Sequence, residues 1–491
     1  MEKRYIIGLD EGTTSCRAVV YDVISQQIIG KAQKKITQIY PAPGWVEQDP
    51  NEIWKKQKAT LNEVLKIINP EEVICMGLTN QRETIIAWNK NTGKPVYNAI
   101  VWQCRRTSAD IEKIPTQIKT KIKNKTGLIP NAYFSASKIK WLFDNIPEVK
   151  ELAEKKQLCV GTIDSFITFK LTGKFVTDST NASRTMLFNI NTLKWDSELL
   201  KFFNIPESCL PTVVDSNYNL GLCKEYPFPL CGIIGDQQAS LVGQSCIRKG
   251  MAKATYGTGC FILLNIGKEV VKTNKMLCTV AYTINGETTY ALEGSVYSAC
   301  GAIDWLKNNM DLYKDVQDTA EICNNAKTTD GVYFVPAFTG LGAPYWNDNA
   351  KGTILGITFN TTKDHIIRAC LESIAYNTFD VINEMTISDN INIKELHVDG
   401  GGSKNTFLLQ FQSDILQSRI LKSKFSESTA MGAIYMAGLS LKVFSLKTIE
   451  DNYQIHSFYT PKMSIPQSDK LIQGWRNAVF SAITHKIKHK N

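Results

Sequence analysis

The 491 residues include thirteen cysteines, yet no two of them form a Cys-x-x-Cys pair. That removes the usual sequence signs of a zinc site and of a disulfide framework. Several of them, among them Cys75, Cys159 and Cys231, lie in apolar surroundings, so free and mostly buried thiols in a reducing compartment are expected. No apolar run approaches the length needed to cross a bilayer, and none is expected to insert in a membrane. Only Met1-Glu2-Lys3-Arg4 precede the first strand-like run, so no signal or transit peptide is expected. The expected location is cytoplasmic. The common nucleotide fingerprints are missing as well: there is no Gly-x-x-x-x-Gly-Lys-[Ser/Thr], and Gly93-Lys94-Pro95 and Gly173-Lys174-Phe175 read as turns. No protein-kinase catalytic loop or Asp-Phe-Gly occurs. Histidine is scarce, at His365, His397, His456, His485 and His489. None lies in the polar clusters described below, so proton transfer near neutral pH would fall to a carboxylate.

Charge is not concentrated. The net charge of +9 is spread along the chain, and the densest basic stretch is His485-Lys486-Ile487-Lys488-His489-Lys490. It has no interleaved aromatics to stack on bases, so it reads as a solvated tail and no nucleic-acid partner is expected. Hydrophobic content of 43% and charged content of 21% are those of a globular protein, and the length suits two domains rather than one core.

Two short segments stand out: Asp10-Glu11-Gly12-Thr13-Thr14-Ser15 and Tyr256-Gly257-Thr258-Gly259-Cys260. Each borders a strand-like apolar run, Tyr5–Leu9 in one case and Phe261–Ile266 in the other. Each offers glycine for a tight turn, backbone N–H groups and hydroxyls that can donate to phosphate oxygens. Asp10 adds a carboxylate where a Mg²⁺ carried by a nucleotide could sit. A third cluster, Asp399-Gly400-Gly401-Gly402, follows Leu396-His397-Val398. Each motif alone is a common turn; three at strand boundaries point to a nucleotide held between duplicated halves.

The pattern around them is α/β. Tyr5–Leu9, Arg17–Asp22 and Ile28–Ile36 read as three consecutive strands, Glu52–Ile68 as a helix, and Val73–Leu78 and Ile85–Trp88 as further strands. Ala252–Tyr256, Phe261–Ile266 and Met276–Tyr282 read as a second three-strand meander. Helix-like Ile366–Met385 and strand-like Glu395–Val398 follow. The division expected is residues 1–246 and 247–491, closing on a ligand in an interdomain cleft.

Asp236, at the end of apolar Gly232–Gly235 and before a helix, stands where ligands bind in open α/β sheets; the other reading is a helix N-cap. Arg82 and Glu83, in Asn80-Gln81-Arg82-Glu83, could grip the hydroxyls of a polyol or form a surface ion pair. Trp102 and Tyr133 could wall a pocket or simply fill the core.

Together these motifs resemble the FGGY family of carbohydrate kinases. Asp10–Ser15, Asn80–Glu83, Trp102-Gln103-Cys104-Arg105-Arg106 and Gly235–Gln238 carry the likeness. Tyr133–Asn145 is similar to the family's first signature and Gly352–Glu372 to its second. Pro43–Pro50, Thr180–Thr185 and Val335–Trp346 resemble the members that act on glycerol. The likeness runs in order from about residue 5 to about residue 440. It implies two ribonuclease-H-like domains of the actin-like ATPase fold. It also implies transfer of the γ-phosphoryl of ATP to a terminal hydroxyl of glycerol, and a homo-oligomer, dimer or tetramer. The roles it implies place Arg82, Glu83, Tyr133, Asp236 and Gln237 on the glycerol hydroxyls, and Trp102 and Phe261 on its carbon face. Asp236 takes the proton. Thr13, Thr14, Ser15, Arg17 and Thr258 surround the phosphates, Asp10 helps hold Mg²⁺, and Gly301, Gly401 and Asn405 line the nucleotide site.

Three departures from the family pattern carry expectations of their own. Glu11 stands where relatives usually have Gln, so it either weakens nucleotide binding or points away. The glycine expected near the nucleotide aligns on Cys300, with Gly301 beside it. Leu220–Leu230 has only Gly221 and no arginine, so control by fructose 1,6-bisphosphate is not expected. The alternatives left open are a pentulose or aldonate kinase of the same family and a non-catalytic binding protein of the same fold. The first would lack the glycerol-type segments; the second would have lost Asp236 or the hairpins.

Overall fold

The computed structural model describes residues 3–425 and 427–484; the basic run His485–Lys490 lies outside the described residues. Two sheets carry the architecture. The first has five strands in the spatial order Leu230–Gly235, Val73–Asn80, Tyr5–Glu11, Ser15–Asp22, Gln27–Lys35. Its first three strands in chain order form the expected antiparallel meander, and the other two join it in parallel.

The second sheet has seven strands, and its centre repeats the first. Ala252–Tyr256 pairs antiparallel with Cys260–Gly267 on one side and parallel with Glu395–Asp399 on the other. Each Gly-Thr hairpin therefore joins an antiparallel pair whose first strand also has a parallel neighbour. Strands of that kind end at the edge where α/β folds bind ligands.

The second meander differs from its expected form. Leu277–Ile284 does not lie beside Cys260–Gly267; strand Glu287–Val296 lies between them and pairs with both. Asn285 and Gly286 both adopt positive φ, the requirement of a two-residue type I′ turn. That turn folds Glu287–Val296 straight back on its predecessor. The helix expected over Glu52–Ile68 spans Pro50–Val64, with the Asp49 side chain accepting from Asn51 N and Pro50 at its first position.

The halves meet through helix Ser428–Ser440, which lies across the first sheet. Gly8, Gly77 and Gly232 sit in register on three neighbouring strands. A Cβ at Gly77 would stand 2.1 Å from the Ala433 carbonyl oxygen, and one at Gly232 2.7 Å from Ala437 N. A row without side chains is what lets the helix approach. Helix Asp236–Gly243 packs on the same helix, where a Cβ at Gly432 would come within 1.9 Å of the Ala239 carbonyl oxygen. None of the thirteen cysteines is paired in a disulfide, and twelve are buried. Among the described residues no helix is long and apolar enough to cross a membrane.

Candidate active site

The first hairpin closes with Gly12 N donating to the Ser15 carbonyl at 3.0 Å, and the second with Gly257 N donating to the Gly259 carbonyl at 2.9 Å. Thr14 and Thr258 are exposed at the two tips. The first is braced from behind. Gln38 Nε2 and Gln48 Nε2 both donate to the Thr13 carbonyl, at 2.7 and 2.5 Å, and Gln33 Nε2 donates to Ser15 Oγ at 2.9 Å. Beside it Arg17 Nη1 reaches Asp10 Oδ2 at 3.3 Å. Burial lifts the Asp10 carboxyl to about 6, against the pull of Arg17. A buried carboxylate beside a phosphate-type turn fits Mg²⁺, which favours one or two carboxylates plus phosphate oxygens over an all-protein cage.

The candidate acceptor residues form one cluster. Arg82 is not part of a surface pair: it is buried, forks onto Glu293 at 2.6 and 2.8 Å, and reaches Gln238 Oε1 at 3.1 Å and Asp236 Oδ1 at 3.2 Å. Glu83 follows it with φ of 58°, a strained conformation of the kind that persists where surrounding structure enforces it. Its Oε1 accepts from Arg184 Nε at 2.6 Å. Asp236 is not the N-cap of its helix. Gly235 occupies that position, and the only backbone N–H the structure gives Asp236 Oδ1 is that of the adjacent Gln237, at 2.7 Å. The Asp236 side chain keeps 26% of its surface exposed. Gln237 Oε1 accepts from Lys253 Nζ at 2.6 Å.

The aromatic residues stand together. Trp102 lies 5.5 Å from Tyr133 and 6.3 Å from Phe261, centroid to centroid and edge to face in both cases. Trp102 Nε1 donates to Thr13 Oγ1 at 2.8 Å, which ties this wall to the first phosphate-type hairpin.

Glu11 faces neither phosphate nor solvent. It is fully buried, with Oε2 3.3 Å from Gln81 Nε2 and Oε1 without a partner, and burial raises its pKa well above the carboxylate range. Gln81 also donates to Gln48 Oε1 at 2.9 Å, so Glu11 belongs to the brace behind the hairpin.

At the third cluster, Gly400 has φ of 83°, and a Cβ there would stand 2.4 Å from the Tyr256 carbonyl oxygen. Gly401 has open space where a Cβ would be. Asn405 caps helix Thr406–Leu416 by accepting from Leu408 N at 3.0 Å, and its Nδ2 donates to Thr319 Oγ1 at 3.0 Å. Gly301 N donates to the Thr258 carbonyl at 3.1 Å. Cys300 Sγ fills the space beside Gly402, 2.6 Å from where its Cβ would be.

Sequence reasoning missed Glu293, Lys253 and Gln48. The first two carried a readable signal: a charged residue within an apolar stretch, Glu293 in Tyr290–Val296 and Lys253 in Ala252–Tyr256, has to be paired.

Two halves built on the same strand pattern, each with a Gly-Thr hairpin, and a polar side-chain cluster drawn from both define a sugar-kinase-type fold of the actin-like ATPase class. The chain belongs to the FGGY family of carbohydrate kinases: the family's N-terminal domain matches residues 5–243 and its C-terminal domain residues 252–441. It is 48% identical over 491 residues to a glycerol kinase of Desulforamulus reducens, covering 98% of each chain. It is also 48% identical over 487 residues to one of Thermococcus onnurineus, again covering 98% of each. The crystal structure of Plasmodium falciparum glycerol kinase with ADP superposes with a TM-score of 0.93 at 37% identity, covering 99% of this chain and 100% of that one.

Proposed function

We propose that this protein phosphorylates glycerol with ATP, giving sn-glycerol 3-phosphate and ADP. The observation that carries the reading is the small acceptor cluster, with Arg82, Glu83 and Asp236 on its polar side and Trp102, Tyr133 and Phe261 as its wall. Its Trp102 is hydrogen-bonded to the first phosphate-type hairpin. The similarity to glycerol kinases over nearly the whole chain supports the same acceptor.

In this reading Arg82, Glu83, Tyr133 and Gln237 hold the glycerol hydroxyls, and Trp102 and Phe261 pack on its carbons. The terminal hydroxyl oxygen bonds to the γ-phosphorus, the bond to the β-phosphate oxygen breaks, and Asp236 receives the hydroxyl proton. Phosphoryl transfer depends on in-line placement and charge neutralisation. The hairpin N–H groups, Thr13, Thr14, Ser15, Arg17 and Thr258 supply the second, while Gly301, Gly401 and Asn405 line the adenosine side. Asp10 would hold Mg²⁺, which neutralises phosphate charge when bound. A cleft between residues 1–246 and 247–491 keeps out water, the competing acceptor.

We also infer a cytoplasmic homo-oligomer, dimer or tetramer. Phe359 and Ile357, both exposed beside strand Thr353–Leu355, offer apolar surface for a second copy. Glycerol catabolism and supply of glycerol 3-phosphate for lipid synthesis are the roles that follow from the product.

An assay of ADP formation with glycerol, xylulose and gluconate tests the function. Glycerol is expected to give the highest kcat/KM. A pentulose or aldonate turned over far better than glycerol would overturn the reading.

A further inference from the structure

The acceptor cluster has a hub that touches no candidate substrate position. Glu293 lies on strand Glu287–Val296 of the second sheet and has no solvent exposure. Its two oxygens accept Arg82 Nη1 at 2.6 Å and Arg82 Nη2 at 2.8 Å, and Oε1 also accepts Arg184 Nη2 at 3.1 Å. Both arginines come from the other half of the chain and are themselves buried. Each then turns its Nε edge to a different carboxylate. Arg82 Nε faces Asp236 Oδ1 at 3.2 Å, and Arg184 Nε faces Glu83 Oε1 at 2.6 Å.

One carboxylate thus sets the orientation of two guanidinium groups, and these set the two carboxylates that would meet the acceptor. Arg82, gripped by Glu293 at two nitrogens, has little freedom left because the fork geometry fixes its plane, and Arg184 is held at Nη2 by Glu293 and at Nε by Glu83. The pKa values agree with tight coupling: burial pushes Glu293 up, but Arg184 and Arg82 hold it at about 2.

We propose that Glu293 is a positioning residue for the acceptor site, fixing Asp236 through Arg82 and Glu83 through Arg184. The charge count permits this without excess: Glu83, Asp236 and Glu293 stand against Arg82, Arg184 and Lys253. The proposal rests on the glycerol reading above and goes beyond it by assigning a residue from the second sheet to acceptor geometry.

Two substitutions in the full chain test it. Glu293→Asp keeps the charge but withdraws the carboxylate by one methylene, and Glu293→Gln keeps the length but loses the charge. Misplacement on the order of 1 Å can cost about a hundredfold in rate. Both variants should therefore raise the glycerol KM or lower kcat by roughly tenfold or more, with the MgATP KM within about twofold. In thermal melts, glycerol alone should lose its stabilising effect while ADP alone keeps it. A merely structural charge would be rescued by Glu293→Asp, so wild-type glycerol constants in that variant would overturn the proposal. So would a parallel rise in both KM values, or failure of both variants to fold, which would make the cluster a stability element. Wild-type turnover of glycerol in the same assay judges the underlying reading separately.

Discussion

Arg82 Nε lies 3.2 Å from Asp236 Oδ1, a contact that orients the candidate base and offsets part of the effect of burial on its acidity. Burial pushes the Asp236 carboxyl above its ordinary range, and Arg82 and Lys253 pull it part of the way back. A carboxylate raised in this way binds a proton better at neutral pH while remaining available as a base. Oδ1 is committed to Arg82 and Gln237 N, whereas Oδ2 has only Gln237 Nε2 at 3.4 Å. In the proposed reaction Oδ2 is therefore the oxygen that would receive the acceptor's proton.

Asp236→Asn should lower kcat by about 10²–10⁴, the usual loss when a general base is removed. The amide keeps the side-chain shape and can still accept from Gln237 N, so ADP should bind and stabilise the variant as it does the wild type. Stopped turnover with intact ADP binding is the expected pair of results. Near-normal turnover would reduce Asp236 to an orienting group.

Both hairpins were legible because their signal is local: glycine and hydroxyl residues directly after or between apolar strand runs. Asp10, Arg82, Glu83 and Asp236 stand out as candidates for a similar local reason, each at a strand end or the turn after it, whereas Arg17 enters only through the family resemblance. Non-local features were not legible. The row Gly8, Gly77 and Gly232 has meaning only once three strands from distant segments are in register beneath a helix. Strand Glu287–Val296 was overlooked although Asn285-Gly286 marks a two-residue turn; its polar beginning hid the alternation. Glu293 could be suspected as a lone acid in an apolar strand, but its two arginines lie more than a hundred residues away. Whether Arg82 and Glu83 formed a surface pair or a buried grip was equally undecidable without burial.

Glu11→Gln should stabilise the protein and leave its nucleotide constants alone. The carboxylate is fully buried, has one 3.3 Å hydrogen bond and leaves an oxygen unpartnered. Burial raises its pKa well above the carboxylate range, so folding at neutral pH costs either a buried charge or the uptake of a proton, and an amide needs neither. A neutral amide of the same shape can still accept from Gln81, so Tm should rise by a few degrees, on the order of what about 1 kcal/mol produces. The MgATP KM and the Mg²⁺ requirement should stay within about twofold, since Glu11 faces Gln81 and not the hairpin's open side. Kinetics at two ionic strengths alongside melts check both halves; a large salt-dependent drop in KM would place the charge near the phosphates after all.

Asp164 should make the stability of the wild type fall as pH rises toward neutrality. Its carboxyl is buried and accepts from Thr162 Oγ1 at 2.5 Å and Thr177 Oγ1 at 2.7 Å. Burial, reinforced by Asp178, pushes it up to about 7 despite those donors. The folded pKa exceeds the unfolded value of about 4, so the native state binds the proton more tightly. Its contribution is fully present below about pH 4 and is lost as pH rises toward 7. Asp164→Asn has no such group. The wild-type Tm minus the variant Tm should therefore decline from acid to neutral pH and then level off. A difference that stays flat over that range would mean the carboxyl titrates normally.

Gly301→Ala should damage nucleotide binding selectively, through backbone rather than charge. Gly301 N donates to the Thr258 carbonyl at 3.1 Å, which holds the second hairpin against helix Cys300–Asn308. A Cβ at position 301 would stand 2.9 Å from Thr258 Cγ2 and 3.1 Å from the Thr258 carbonyl oxygen. The methyl can turn aside, but the carbonyl belongs to the hairpin itself, so relief requires the tip to shift. Displacement of a phosphate-type turn by a few tenths of an ångström lengthens each N–H contact to the ligand, and hydrogen bonds weaken steeply with poor geometry. The acceptor cluster is braced independently by Glu293, Arg82 and Trp102. The MgATP KM should thus rise by roughly tenfold, about 1.4 kcal/mol of lost binding. The glycerol KM and the glycerol-induced rise in Tm should remain near wild type. Measuring both KM values in one series decides the matter: an unchanged MgATP KM would show that Thr258 does not bear on the nucleotide. Equal losses for both substrates would mean that the two sites are coupled through this hairpin.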